Sequence, residues 1–406
     1  MNTGTLSIPT DAQYTLLSVL FLTLCPLLSV PFILYAVYHR QRGAYAVLAL
    51  LLGIMAFISA PSEDLYRHFC LYSRFSVRPL SAITWMDTSL NGILPYLYWL
   101  MARLGISFSY LRFFELTVGF YLLCRIFDEM IEQSTVPYTS QERMVRFAIF
   151  FLFFDFLYTT MGVKFGFALC TYLYSLHLII VRHRTAAGLC FFLLTCMWHV
   201  SFVFTGPAVH AIYRYKPSRS TVAWACVVLA VVVPVIISIA GSYLFGRRFD
   251  FYFSKKADDV TSYAAMTLPG LMLYILPKLA VIPFALILLK RYTTDTPWCR
   301  IATGWFLLAV VMMSNAVTFY RFWWAFMATG PLLVLELERR RRFSQRTLMG
   351  LIASGLLFTA FNMTAYHKEV TYSPYYRALY PAPLVIATDF DKRWVFNNIA
   401  HDGDFK

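Results

Sequence analysis

Long apolar segments alternate with short polar clusters along most of the chain. A helix needs about 20 apolar residues to cross the hydrocarbon core of a bilayer, and such segments recur from one end of the sequence to the other. The pattern predicts an all-α, polytopic membrane protein. The clear candidate spans are residues 14–38, 44–61, 109–127, 145–160, 166–181, 221–245, 268–289, 301–319, 322–338 and 347–363.

Two further segments do not fit a simple span. Residues 186–213 are interrupted by Trp198-His199 and by Gly206-Pro207, which suits either one kinked span or two short ones. The charges around the segment favour two short helices. Residues 89–104 are short and aromatic, which predicts an interfacial helix or half-span above an external cavity.

Composition places the chain outside the class of soluble domains. Its 406 residues are 59% hydrophobic and only 14% charged, whereas soluble domains carry roughly a quarter charged residues. The net charge of +14 lies in short runs between apolar segments, which is typical of membrane orientation and lipid contact rather than nucleic-acid binding. The eight cysteines include no C-x-x-C pair, so neither a metal site nor a disulfide framework is indicated.

Short basic loops predict the orientation of the spans. Placing these loops in the cytoplasm requires about twelve spans with both termini outside. The stretch before residue 14 contains no Lys or Arg, so the first apolar segment is predicted to be retained as a span. A single membrane domain over residues 1–406 then has external segments at 62–104, 246–267 and 364–406. The loops contain Arg40 and Arg42; Arg143 and Arg146; Arg182 and Arg184; Arg214, Lys216 and Arg219; Lys290, Arg291 and Arg300; and residues 339–342 with Arg346.

Cations on the predicted external side need a separate explanation, because the positive-inside rule disfavours them. Arg and Lys at an external cavity can bind the pyrophosphate of a polyprenyl-linked sugar. The alternative is that they reach phospholipid headgroups. The residues concerned are Arg67, Arg74, Arg78, Lys164, Arg247, Arg248, Lys255, Lys256 and Arg321.

Three other features are candidates for chemistry at the same side. Glu63-Asp64 follows the second candidate span, where a carboxylate could accept a proton, hold a cation or cap a solvated helix. His199 ends an apolar run and suits a base, a phosphate donor or a packed histidine. Tyr320-Arg321 places a cation beside rings, which suits sugar binding or an interfacial belt. No nucleotide-binding motif is present, so a reaction needs an activated substrate; neither a metal nor another cofactor is required.

The order of these features resembles the EpsG-like branch of the Wzy-type polysaccharide and O-antigen polymerases. The segments that carry the resemblance are Ser62-Glu63-Asp64-Leu65-Tyr66, Gly162-Val163-Lys164-Phe165-Gly166-Phe167-Ala168, Trp198-His199-Val200-Ser201 and Tyr320-Arg321. The chain departs from the family pattern in two places. Lys164 stands where an arginine is usual, and Ile58-Ser59-Ala60 lacks the arginine that often precedes the first motif.

The resemblance implies a C-type glycosyltransferase-like bundle with a periplasmic cavity in a bacterial inner membrane. The substrates would be undecaprenyl-pyrophosphate-linked oligosaccharides, as donor and as acceptor, in contact with membrane lipids and a chain-length regulator protein. Catalytic roles would fall to Asp64, Glu63 or His199. Substrate binding would fall to Tyr66, Arg67, Lys164, Arg247, Arg248, Tyr320 and Arg321.

Three other functions remain open from the sequence. An O-antigen ligase or another polyprenyl-linked-sugar glycosyltransferase would use the same cations with a different acceptor. A lipid-linked oligosaccharide flippase or transporter would place charges through a central passage rather than at one face. A membrane acyltransferase is suggested chiefly by His199.

Overall fold

Apolar segments of this length fold as helices because a helix satisfies its own backbone hydrogen bonds. The computed structural model describes residues 13–232, 268, 275–276, 278–313 and 316–406, except residues 42, 136, 391 and 402. Within them the regular structure is helical, with one isolated β-bridge between Ile399 and Phe405. The all-α prediction is confirmed.

The first half of the chain is built mainly of helices. They are α1 (Gln13–Leu24), α2 (Val30–Tyr38), α3 (Ala44–Phe57), α4 (Glu63–Phe75), α5 (Trp85–Asn91), α6 (Leu94–Arg103), α7 (Phe108–Glu132), α8 (Ser140–Leu152), α9 (Phe156–Met161), α10 (Val163–Leu176) and α11 (Thr185–Trp198). A π-helical turn over His177–Val181 extends α10.

The other described helices follow in the second half of the chain. They are α12 (Phe202–Tyr215), α13 (Arg219–Val232), α14 (Ile282–Arg291), α15 (Pro297–Val311), α16 (Ala316–Glu338), α17 (Gln345–Ala365), α18 (His367–Tyr372), α19 (Ala382–Ala387) and α20 (Lys392–Asn398).

The first apolar segment is a helical hairpin, so the prediction of one span over residues 14–38 is wrong. Pro26 starts a 3-10 turn between α1 and α2, which breaks the helix because proline cannot donate to the preceding turn. The Thr15 amide donates to the Gln41 side chain at 2.6 Å, and the Phe21 and Phe32 rings stack 4.4 Å apart. Residues 13–15 therefore share a side with the first basic loop, contrary to the predicted external position.

The basic loops gather at one end of the bundle, hereafter the basic end. Arg40 donates to the Tyr138 carbonyl, Arg339 to Gln133, and Arg291 to the Arg341 carbonyl. The described residues of 128–146, which include several acidic side chains, lie here too. Arg342 pairs with Glu142 at 2.5 Å. The acids in this loop are thus partners for basic side chains.

The tail predicted over residues 364–406 packs on the opposite end. Ser373 accepts a hydrogen bond from the Ala60 amide at 2.8 Å, and Ser109 donates to Asp389 at 2.5 Å. We call this the site end, because the candidate chemistry lies there. The position of both ends relative to a membrane stays a prediction.

Large apolar side chains face outward along several helices. Leu193 of α11 is 61% exposed and Leu357 of α17 is 56% exposed. Exposed apolar area of this kind is costly in water and matches lipid tails. By length and composition, Lys164–Val181 and Gln345–Ala365 qualify as membrane spans among the described residues, and several shorter helices are also apolar.

Two other segments that were interpreted from the sequence have different outcomes. Residues 186–213 form two helices, α11 and α12, as the charges favoured. Residues 145–160 are instead broken where Asp155 caps α9, so one continuous span there is wrong. The count of twelve spans is not established, since residues 233–267 lie outside the described residues.

Candidate active site

The site is built on α4, a short amphipathic helix at the site end. Glu63 and Asp64 occupy its first turn, where negative charge complements the exposed backbone amides of a helix N-terminus. Helical spacing places Asp64, Arg67 and His68 on one face. The Asp64 carboxylate lies 3.7 Å from the Arg67 guanidinium and 4.0 Å from Nε2 of His68. Asp64 thus projects between two basic side chains.

His68 is held in one tautomer. Its Nδ1 lies 2.7 Å from the Tyr98 hydroxyl, and both side chains are buried. Burial, with a smaller effect of Lys164, lowers the pKa of His68 to about 3, so the ring is neutral at pH 7. Because the Asp64 carboxylate faces Nε2, the ring proton belongs on that nitrogen and Tyr98 donates to Nδ1.

Lys164 enters from the start of α10. Its ammonium donates to the Asn91 side chain at 2.9 Å, so α5 fixes its direction. Gly92 follows at φ 60°, with its Cα hydrogens against the Met197 carbonyl, and the Ile93 amide donates to that carbonyl at 2.8 Å. A side chain at residue 92 would collide with this carbonyl. The glycine therefore brings α5 and Lys164 beside the end of α11.

His199 lies in the turn between α11 and α12. The Ser201 hydroxyl is 2.7 Å from its Nδ1, and the Phe165 ring meets the imidazole edge to face at 5.5 Å. Burial first, and then the charges of Arg321 and Lys164, lower the pKa of His199 to about 3. His199 is therefore a neutral imidazole at physiological pH.

Arg321 completes the group from α16. Its guanidinium hydrogen-bonds to the Tyr158 hydroxyl, and the Tyr158 ring packs 4.9 Å from the Trp324 ring. Burial raises the pKa of the Asp64 carboxyl, but the basic groups around it, among them Lys164, Arg321 and Arg67, outweigh burial and lower that pKa. Asp64 is ionised at neutral pH.

The fixed charges in this group sum to an electropositive site. Arg67, Lys164 and Arg321 contribute three positive charges, Asp64 contributes one negative charge, and the two histidines are neutral, which leaves +2. We call these six side chains the site cluster: Asp64, Arg67, His68, Lys164, His199 and Arg321. A multiply charged anion is the ligand that such a cluster attracts.

A polar network around Asp155 holds the helix that carries Arg321. The Asp155 carboxylate caps α9 and accepts hydrogen bonds from Tyr320 at 3.1 Å and Asn362 at 2.9 Å. Tyr320 precedes Arg321 on α16, so this network fixes the helix that presents the arginine. Tyr320 thus has a positioning contact, and its predicted role in substrate binding stays a prediction.

Comparison with known proteins gives one family match, over residues 45–376, with the EpsG family. The match covers most of the chain and includes every side chain of the site cluster. The chain belongs to the EpsG family. No curated protein and no solved structure matches it, so the C-type glycosyltransferase-like fold stays a prediction.

Membership establishes the broad class of this EpsG-family protein. It is a helical membrane protein of polysaccharide biosynthesis, related to polymerases and glycosyltransferases. The resemblance seen in the sequence is confirmed at this level. The substrate and the reaction are not given by the match.

Two predicted site residues of this EpsG-family protein face the tail rather than the cluster. The Tyr66 ring packs edge to face with Phe396 at 6.4 Å. The Glu63 carboxylate lies near Glu369 and Asp404, and loss of hydration together with these negative charges raises its pKa. Arg247 and Arg248 lie outside the described residues, and their substrate-binding role stays a prediction.

Sequence reasoning missed four supporting residues of the site. His68 could have been found, because it is four residues after Asp64 on a helix. Tyr98, Asn91 and Asn362 gave no local signal, since each meets its partner across 30 or more residues of chain. Among the described residues no three His, Cys, Asp or Glu side chains converge as a metal site requires.

We expect Tyr98→Phe to lower the free energy of unfolding by about 1–3 kcal/mol, because it leaves the buried Nδ1 of His68 without its donor. Thermal unfolding in detergent measures the change. Tyr96→Phe is the matched control, since Tyr96 is 46% exposed. Equal melting temperatures for the two variants would contradict the assigned hydrogen bond.

Proposed function

We propose that this EpsG-family protein is a polysaccharide polymerase that joins undecaprenyl-pyrophosphate-linked repeat units on the periplasmic face of a bacterial inner membrane. The observation that carries the proposal is the convergence of Arg67, Lys164 and Arg321 around one ionised carboxylate, at the end opposite the basic loops. The family match supports the polysaccharide substrate class.

The proposed reaction is a glycosyl transfer between two lipid-linked chains. The oxygen of an acceptor sugar hydroxyl forms a bond to the anomeric carbon of the donor. The bond from that carbon to the diphosphate oxygen breaks, and its electron pair leaves with the lipid diphosphate. The acceptor proton passes to a base. The diphosphate bond drives the transfer, which is consistent with the absence of a nucleotide-binding motif.

Lys164 and Arg321 have the charge and position to stabilise the departing diphosphate. Electrostatic stabilisation acts where negative charge develops, and it is strongest at fixed, partly desolvated donors. Lys164 is fixed by Asn91 and Arg321 by Tyr158. Arg67 is 62% exposed, so it lies at the rim and meets the anion before it is fully bound.

Asp64 is our choice for the base. In the site without substrate, the neighbouring basic groups lower the pKa of Asp64, so its carboxylate is a weak base. A bound diphosphate neutralises Lys164 and Arg321, so the Asp64 pKa rises when substrate is present. The carboxylate then accepts the hydroxyl proton at the stage when the diphosphate leaves. His199 is the neutral group beside it, and it is suited to hydrogen-bond a sugar hydroxyl or phosphate oxygen.

The activity test supplies purified protein with lipid-linked repeat units and no nucleotide. The proposal predicts a ladder of longer chains that remain attached to the lipid. Products of unchanged length would exclude polymerisation, and transfer of whole chains to a different lipid acceptor would identify a ligase. Appearance of unchanged substrate in the opposite leaflet of a vesicle would identify a flippase. Comparing the length of the ladder with and without a chain-length regulator protein tests the proposed partner.

A further inference from the structure

Residues 399–401 and 403–406 form the two sides of a small hairpin beside the site. The Ala400 amide donates to the Asp404 carbonyl at 2.7 Å, and the Gly403 amide donates back to the Ala400 carbonyl at 3.0 Å. Ile399 and Phe405 form the isolated bridge across it. The hairpin lies outside the family match, which ends at residue 376.

The hairpin holds the first residue of α4 directly. The Glu63 amide donates to the Gly403 carbonyl at 2.9 Å. This amide is one that a helix N-terminus cannot satisfy within the helix itself. Glu63 has φ 54°, a conformation that non-glycine residues rarely adopt without support from their surroundings. The hydrogen bond from the Glu63 amide to the Gly403 carbonyl supplies that support, one residue before Asp64.

Only glycine fits at position 403. Its φ is 97°, and a Cβ there would lie 2.8 Å from the Glu63 carbonyl oxygen and 3.1 Å from the Glu63 Cα. Both are backbone atoms of α4, so no side-chain rotation can relieve the contact. A side chain at residue 403 must push the hairpin and the start of α4 apart.

Other contacts anchor the hairpin, so that it is a firm support. The Lys368 ammonium pairs with Asp404 at 2.8 Å, and the Tyr372 and Phe405 rings stack 4.6 Å apart. From the neighbouring helix α20, Phe396 contacts Phe69 on α4. The start and the middle of α4 are therefore both held by the tail.

We propose that Gly403 is a positioning residue that sets the location of Asp64 through the backbone of Glu63. The structural half of this inference stands independently, whereas its catalytic half rests on the proposed function. Displacement of a reacting group by about 1 Å can cost about 100-fold in rate. Lys164 and Arg321, which are proposed to bind the diphosphate, lie on other helices, so we expect them to keep their positions when α4 shifts.

Hydrogen exchange tests the structural half without any assay of activity. In Gly403→Ala, the peptide covering residues 61–70 is expected to exchange faster than in the unmodified protein, because the Glu63 amide loses its acceptor. Gly350→Ala is the control for a substitution with no neighbour within 4 Å. Gly105→Ala is the control for backbone strain alone, since Gly105 has φ 68° with no neighbour within 4 Å.

Steady-state kinetics test the catalytic half. Gly403→Ala is expected to lower kcat about 10-fold or more, with the donor KM within about 2-fold, because Asp64 moves whereas Lys164 and Arg321, which are proposed to hold the diphosphate, do not. A purely structural role would reduce the yield of folded protein and leave kcat per folded molecule unchanged. That outcome, with both controls normal, overturns the catalytic half.

A second pair of variants covers the case in which Gly403→Ala does not fold. Asp404→Lys breaks the Lys368 pair and is expected to raise exchange in peptide 61–70. Adding Lys368→Asp restores the pair with reversed charges and should restore protection. If Gly403→Ala folds and its exchange in this peptide is unchanged, the proposal is overturned. If Gly403→Ala is not obtained, unchanged exchange in Asp404→Lys overturns it. Both conclusions hold whether or not the protein makes a ladder of longer chains.

Discussion

Replacing Arg321 by alanine is expected to lower the kcat for polymerisation by about 100–1,000-fold, the usual cost of removing one donor that stabilises developing negative charge. Arg321 is fixed by Tyr158, and its charge acts on both Asp64 and His199. The measurement is the rate of ladder formation from lipid-linked repeat units. Arg321→Lys should recover part of the rate, because lysine keeps the charge and loses the planar fork.

Arg346→Ala is the matched control for this substitution. Arg346 is an exposed arginine in the first turn of α17, at the basic end. Its replacement should leave the ladder unchanged. Gel filtration in detergent checks that both variants are folded and homogeneous. A normal rate for a folded Arg321→Ala protein would remove Arg321 from the proposed diphosphate site.

Replacing Asp64 by asparagine is expected to lower kcat by about 100–10,000-fold, the range for loss of a general base. Asparagine has the same shape and cannot accept the proton. The donor KM should change little or fall, because removal of one negative charge makes the cluster more positive. His199→Gln should cost less than Asp64→Asn; the reverse order would transfer the role of base to His199.

The pH dependence follows from the pKa of Asp64. Its carboxylate is the active form, so activity is lost as pH falls through its pKa. The free enzyme has this pKa below the ordinary value of about 3.9, so kcat/KM should show no loss from this group between pH 7 and 5. Bound diphosphate neutralises the cations, so the acid limb of kcat should lie at higher pH than that of kcat/KM. Coincident limbs would contradict this coupling.

The helical pattern and the central charges could be predicted from the sequence because each depends on local features. Apolar length predicts helices, and Lys164, His199 and Arg321 follow or interrupt apolar runs. Their assembly with Asp64 is a finding of the structure, since three of these residues come from separate helices and His199 comes from the turn between α11 and α12. The helical spacing that places His68 beside Asp64 was also available in the sequence.

The other features of the fold and of the site depend on contacts between distant parts of the chain. Residues 14–38 have the length of one span, and the contacts of Thr15 with Gln41 and of Phe21 with Phe32 identify a hairpin. Tyr66 shares a motif with Asp64 but points to the other side of α4, where Phe396 covers it. The support of Glu63 by Gly403 joins residues 340 positions apart in the chain, which no local pattern can indicate.

Binding of undecaprenyl diphosphate to the purified protein tests the central claim most directly. The account predicts that the unmodified protein binds the diphosphate in detergent. It also predicts that Lys164→Ala and Arg321→Ala each weaken binding about 10-fold or more, since a hydrogen bond to a charged group contributes about 1.5–3 kcal/mol. Arg346→Ala should bind normally. Equal affinity of all four proteins for the diphosphate would contradict the claim that the site cluster holds it.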